Sequence, residues 1–262
     1  MKAFAALYAE LDATTSTTAK VAALERYLAS APDDDAAWAV YFLSGGRPRQ
    51  VVRTALLRQL ASDLAGLPDW LFEASYQAVG DLAETIAHVL PPATGEDAAP
   101  LARWVEDRLL PLKGLPEPEQ RERIAGQWAL LAPLERMLWV KLAGGGFRVG
   151  VSRLLVQRAL AAHAGLEPAT LAQRMVGYTQ ARTAPTPQAY QALLAPLTGA
   201  PRAADDGRPY PFFLAHPLPP GADLGELLGP VGDWLAKLLS LPLAAGTYCK
   251  VPKRVFRLAT VP

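Results

Sequence analysis

The chain has 262 residues, of which 51% are hydrophobic and 19% are charged. This composition excludes an intrinsically disordered protein and indicates one large or two small globular domains. The formal net charge is only +1, so no overall basic field draws the protein to nucleic acid, and any anion-binding surface must be local.

The cellular setting follows from a few residues. Cys249 is the single cysteine, which excludes an internal disulfide framework and favours the reducing cytoplasm. Glu10 and Asp12 come before any long apolar run, so the N-terminus is unlike a signal peptide. No stretch approaches the roughly 20 apolar residues that span a bilayer. We therefore expect a cytoplasmic monomer without membrane contact.

Helical periodicity dominates the first two-thirds of the chain. Apolar residues from Phe4 to Leu11 recur at the spacing of one helical face. The hydroxyls of the Thr14–Thr18 run are suited to cap a second helix, and the acidic residues Asp33–Asp35 suit the positive end of a third. Later helices are predicted at 48–65, from Asp69, from Asp81, and at 101–110, 118–131, 133–142, 152–163, 168–178 and 187–197.

The predicted core follows the same spacing. In the helix at 48–65 the inward positions are Val52, Leu56, Leu60 and Leu64. Five tryptophans also occupy core spacings, which makes base stacking an improbable role for them: Trp38, Trp70, Trp104, Trp128 and Trp139.

These patterns predict an all-α domain of ten to twelve helices over residues 1–200. An exposed connection at 91–100 divides it into two halves. The region 201–262 is predicted as a proline-rich, non-helical tail, in which the segment 208–221 is a linker or an extended strand.

A glycine turn before an arginine-bearing helix is the most informative motif. Glycines at 144–146 let the backbone approach a ligand, Arg148 adds charge, and the free N–H groups of a helix that starts near Ser152 form an anion site. The alternative is a flexible turn between two helices.

Two runs of basic residues contain no acid. The run at 44–61 carries four arginines and the run at 141–158 carries one lysine and three arginines. Arginine suits phosphate, although a solvated helix face is the usual explanation of such a run. Lys20 and the neighbouring threonines are further candidates, but capping explains the threonines equally well. The predicted nucleic-acid contacts are Arg47, Arg49, Lys141, Gly144, Gly145, Gly146, Arg148, Gly150, Ser152 and Arg153.

Three sequence blocks carry a family resemblance. They are LDATTSTTAKVAALERYL at 11–28, YQAVGDLAETIAHVL at 76–90 and KLAGGGFRVGVSRLLVQRAL at 141–160. In this order and spacing they resemble the N-terminal DNA-binding domain of ATP-dependent DNA ligases, particularly the bacterial type. The resemblance implies a partner of double-stranded or nicked DNA, held across the minor groove by its phosphates, and a role in DNA repair, replication or recombination. It implies ATP and Mg²⁺ as cofactors of a full-length enzyme.

The catalytic motif of that family is missing. The sequence has no K-x-D-G, whose lysine would accept AMP, and the basic segment 237–262 stands where the motif is expected. The resemblance implies that residues 201–262 are a linker and the start of a nucleotidyltransferase region, cut short by truncation or a shifted reading frame, with a natural basic tail as the alternative for 237–262. The histidines have no metal-ligand spacing. The chain alone is therefore expected to be inactive, and the competing hypotheses are a complete ligase with an unrecognised lysine and a helical protein-interaction module.

Overall fold

The computed structural model describes residues 1–48, 50–145, 147, 149–179 and 184–196, together with the backbone of four strands between residues 216 and 259. The chain divides into two compact units, Met1–Arg208 and Pro209–Pro262. Within the described residues, no helix is long and apolar enough to cross a membrane.

The first unit is helical, which confirms the predicted all-α, multi-helix fold. Its helices are α1 (Lys2–Asp12), α2 (Thr17–Ser30), α3 (Asp33–Leu43), α4 (Thr54–Ala65), α5 (Asp69–Val79), α6 (Leu82–Val89), α7 (Leu101–Arg103), α8 (Glu117–Trp128), α9 (Pro133–Ala143), α10 (Arg153–Ala164), α11 (Pro168–Arg174) and α12 (Pro187–Leu194). Helix α7 continues into a π-helical turn, Trp104–Leu109, and a 3₁₀ turn, Leu110–Leu112.

Side-chain caps set several of the helix starts. The Ser16 hydroxyl, within the threonine run, accepts a hydrogen bond from the Ala19 N–H at 3.3 Å. Asp81 accepts from the N–H groups of Ala83 and Glu84 at 2.9 and 3.0 Å. Such caps satisfy donors that have no partner inside the helix, so these starts follow from the local sequence.

The helices pack in a pattern that repeats after six helices. Adding six to each helix number, and counting on from α12 to α1, gives another pair of helices in contact. The pair α2–α10 thus corresponds to α8–α4, α3–α12 to α9–α6, and α1–α9 to α7–α3. The contacts of α5 with α6 recur as those of α11 with α12. Each half of the unit therefore completes the core of the other, and α3–α4 and α9–α10 occupy equivalent places.

Several predicted positions are wrong. Helix α4 begins at Thr54 rather than at residue 48, and Leu64 is 41% exposed rather than inward. Trp70 is 71% exposed, because α5 buries Phe72 instead. Helix α11 ends at Arg174 rather than continuing to residue 178. The other four predicted core tryptophans are buried.

The second unit contains a four-stranded sheet, described from its backbone. Its strands are β1 (His216–Pro217), β2 (Trp234–Leu238), β3 (Thr247–Val251) and β4 (Arg254–Ala259), in the order β1-β3-β4-β2. Strand β3 pairs antiparallel with β1 and β4, whereas β2 pairs parallel with β4. Strand β1 lies within the proline-rich segment; the rest of that segment lies outside the described residues.

Candidate nucleic-acid interface

Two helix–loop–helix units of similar construction carry most of the predicted contact residues. Helices α3 and α9 have 11 residues each, and helices α4 and α10 have 12 residues each. Both second helices end at a glycine in the left-handed conformation, Gly66 and Gly165. The two loops, one between α3 and α4 and one between α9 and α10, therefore arise from equivalent elements of the repeated packing pattern.

Glycines end the first helix of each unit. The N–H of Gly45, whose φ is 87°, donates to the Phe42 carbonyl at 3.0 Å, and the N–H of Gly46 donates to the Tyr41 carbonyl at 2.8 Å. A Cβ atom on Gly46 would lie 2.6 Å from that carbonyl oxygen, so only glycine fits. Gly145 has a φ of 69° and ends α9 in a similar way. These bonds turn the chain sharply at the end of α3 and of α9, where each loop begins.

The two loops lie against each other. The Val51 N–H donates to the Ala143 carbonyl at 3.2 Å, and a Cβ on Gly145 would be 3.8 Å from the Pro48 carbonyl oxygen. Between them is a groove of about 310 Å³. No acidic residue is among its described lining residues, which are Phe42, Leu43, Ser44, Gly45, Arg47, Phe147, Val149, Gly150, Val151 and Arg153.

The groove brings together three of the predicted contact residues. Arg47 lies on the first loop, Gly150 on the second, and Arg153 in the first turn of α10. Arg47 is exposed, and no carboxylate of the described chain forms an ion pair with it. Arg153 is also exposed, and its guanidinium donates to the Met175 carbonyl at 2.7 Å, which leaves further N–H donors for a ligand. The groove is therefore positively charged on both sides.

The start of α10 provides backbone donors beside the groove. Ser152 is the N-cap, and its hydroxyl accepts from the Leu155 N–H at 3.4 Å. The N–H groups of Arg153 and Leu154 find no acceptor in the part of the chain that is described. Free amides at the positive end of a helix dipole attract anions, so the structure gives Ser152 a capping role and leaves the next two amides available.

Lys141 and Gly144 lie on a neighbouring cleft of about 250 Å³. The Lys141 ammonium forms an ion pair with Asp81, and its side chain is only 12% exposed. Partial burial raises the pKa of Asp81, but hydrogen bonds from Lys141 and from the Glu84 and Ala83 amides outweigh this effect and hold the pKa below its usual range. The charge of Lys141 is thus already balanced within the protein.

This ion pair predicts a pH-dependent contribution to stability. Asp81→Asn should lower the free energy of unfolding at pH 7 by roughly 1 kcal/mol or less, because the carboxylate is partly exposed and asparagine still caps α6. The folded-state pKa lies below the unfolded value of about 3.9, so the stabilisation is present above that value and is lost as the pH falls through the folded pKa. Urea unfolding of both proteins should show the difference shrinking below about pH 4; a constant difference would contradict the assignment.

The two basic runs contain further arginines. Arg49, Gly146 and Arg148 lie outside the described residues. Of the other arginines in the first basic run, Arg53 pairs with Glu117 at 2.8 Å, and Arg58 pairs with Glu73 at 2.7 Å. The run is free of acids in sequence but not in space, because helices α8 and α5 supply the carboxylates.

One buried cation was only a minor candidate in the sequence. The ammonium of Lys20, on α2, donates to the Gly150 carbonyl at 2.8 Å. The two residues are 130 positions apart. No periodicity or motif links positions so distant, so only the packing of α2 against α10 reveals the contact.

A comparison with known families identifies the helical unit. The family model described as DNA ligase N terminus matches residues 1–161. The chain belongs to this family. The matched DNA ligase N-terminal region includes α1–α9, nearly all of α10 and both loops of the groove. Membership gives the domain a DNA-ligase-related DNA-binding role. Among curated proteins, none matches the chain.

Proposed function

We propose that the helical domain binds double-stranded DNA through its phosphates, with the strands held across the minor groove. The observation that carries this proposal is the groove between the two loops, where Arg47 and Arg153 lie near the first amides of α10 and none of the described lining residues is acidic. Guanidinium groups and helix N-termini are well suited to phosphate oxygens. Equivalent helix–loop–helix units are suited to contact the two strands of a duplex.

The remaining predicted residues extend this surface. Gly144, Gly145 and Gly150 allow close approach of backbone to the DNA, and Gly146, Arg49 and Arg148 are proposed as contacts from their sequence positions alone. Lys141 can contribute only by sharing its ammonium with Asp81. In a full-length ligase the domain would position the ends of a nicked strand during repair, replication or recombination.

Binding should be electrostatic and indifferent to base sequence, because the proposed contacts are to phosphates. We expect the logarithm of the affinity to fall linearly with the logarithm of salt concentration, with a slope of about −0.9 per phosphate contacted. Titration of two labelled duplexes of unrelated sequence at several salt concentrations measures this. A flat salt response, or a strong preference for one duplex, would overturn the proposal.

We also propose that this chain does not form a lysyl-AMP intermediate. No K-x-D-G is present, so the residues do not fit the nucleotide chemistry of the family. Incubation with radiolabelled ATP and Mg²⁺, followed by denaturing electrophoresis, should leave the protein unlabelled and a nicked duplex unsealed. An AMP adduct on any lysine would refute this expectation.

A further inference from the structure

Lys20 is a buried lysine whose ammonium donates to a neutral carbonyl. The residue is 8% exposed, and the described part of the chain offers it no ion pair. Its contact is the neutral carbonyl of Gly150, at 2.8 Å. Burial of an ammonium is costly, and a carbonyl compensates the charge less well than a carboxylate does. An ammonium carries three donors, so this bond leaves two of them for another acceptor.

The ammonium of Lys20 lies near the groove, because its partner Gly150 is one of the groove residues. Helix α2 packs along α10, and Gly150 lies on the groove, two residues before the N-cap Ser152. Gly150 has a φ of 61°, and a Cβ there would lie 3.4 Å from the Lys20 Nζ. The ammonium therefore stands close to the loop that also presents the free amides of α10. Two independent features of the described residues, a buried cation without a carboxylate partner and helix amides without an acceptor, point to an anion at this loop.

We propose that Lys20 is a further phosphate-binding residue, which contacts a phosphodiester of the bound DNA next to the amino end of α10. This inference rests on the proposed function. The Gly150 carbonyl holds the ammonium in place, so less side-chain entropy is lost when the phosphate arrives. If Lys20 only tied α2 to the loop, a neutral donor would serve without the cost of a buried charge.

The test is the salt dependence of duplex binding by Lys20→Met. Loss of one phosphate contact should make the log–log slope shallower by about 0.9 and weaken affinity roughly tenfold at moderate salt. The thermal midpoint should fall by no more than a few degrees, because the variant loses the hydrogen bond to the Gly150 carbonyl but no longer buries a charge. Lys20→Gln keeps a donor for Gly150 without the charge, so it should show the same change of slope.

Lys113→Met is the matched control, because Lys113 is exposed at the end of the 3₁₀ turn Leu110–Leu112 and the same charge is removed. Its slope should equal that of the wild type. Weaker binding by both Lys20 variants with an unchanged slope would show that Lys20 only holds α2 against the loop, and this result would overturn the inference. If the wild type binds no duplex, the proposed function itself fails, which is a distinct result.

Discussion

Reversal of both groove arginines, Arg47→Glu with Arg153→Glu, should abolish measurable duplex binding at moderate salt. Each charge-assisted hydrogen bond contributes about 1.5–3 kcal/mol, so loss of two corresponds to at least a hundredfold weaker affinity, and the added carboxylates repel phosphate. Both side chains are exposed, and the variant loses the hydrogen bond from Arg153 to the Met175 carbonyl, so the fold should persist with a thermal midpoint lower by no more than a few degrees. Fluorescence anisotropy with a labelled duplex, alongside circular dichroism, measures both properties.

The matched control makes the same change in net charge at two arginines outside the groove. Arg103→Glu with Arg123→Glu alters two exposed arginines that form i,i+4 ion pairs with Asp107 and Glu119. Exposed pairs of this kind contribute little to stability. The control should bind DNA within about threefold of the wild type at moderate salt, where distant exposed charges are largely screened. Equal losses in the two double variants would show that net charge, rather than the groove, governs binding.

Removal of one buried carboxylate should strongly destabilise the helical unit. Asp35, in the first turn of α3, is 5% exposed and accepts hydrogen bonds from the N–H groups of Leu101 and Ala102 at 3.1 and 2.8 Å. Asp35→Ala would leave two buried donors without partners at the start of α7. Each such donor costs about 1–3 kcal/mol, so we expect a loss of about 3 kcal/mol and a thermal midpoint lower by roughly 6–12 °C.

Asp34→Ala provides the comparison for this variant. Asp34 lies in the same turn of α3 but is exposed. Its loss removes only a favourable interaction with the helix dipole, which is worth about 0.3–1 kcal/mol. Differential scanning calorimetry should separate the two variants clearly. Similar midpoints for both would show that the bonds between Asp35 and α7 contribute little to stability.

Local patterns in the sequence determined most of the helical architecture. The apolar spacing from Phe4 to Leu11 was sufficient to predict α1, and Asp81 was sufficient to predict the start of α6. The glycine turn before Ser152 also predicted the start of α10. Periodicity and capping involve residues only a few positions apart, so they can be recognised without knowledge of the tertiary fold.

The orientation of individual side chains depended on distant partners. Trp70 has core spacing but is exposed, because Phe72 rather than Trp70 is the residue that α5 buries. Arg53 and Arg58 belong to a run without acids, yet carboxylates on other helices pair with them. Spacing along one helix shows which residues share a face, but it does not show which face another helix will cover.

The sequence by itself determined the helices, the glycine turns and the family, whereas only the tertiary structure decided which cations lie together. Arg47 and Arg153 meet at one groove because equivalent helix–loop–helix units place their loops side by side. Lys141 is paired with Asp81, and Lys20 reaches Gly150. Such contacts join residues far apart in the chain, and they form only when the packing of whole helices brings those residues within hydrogen-bonding distance.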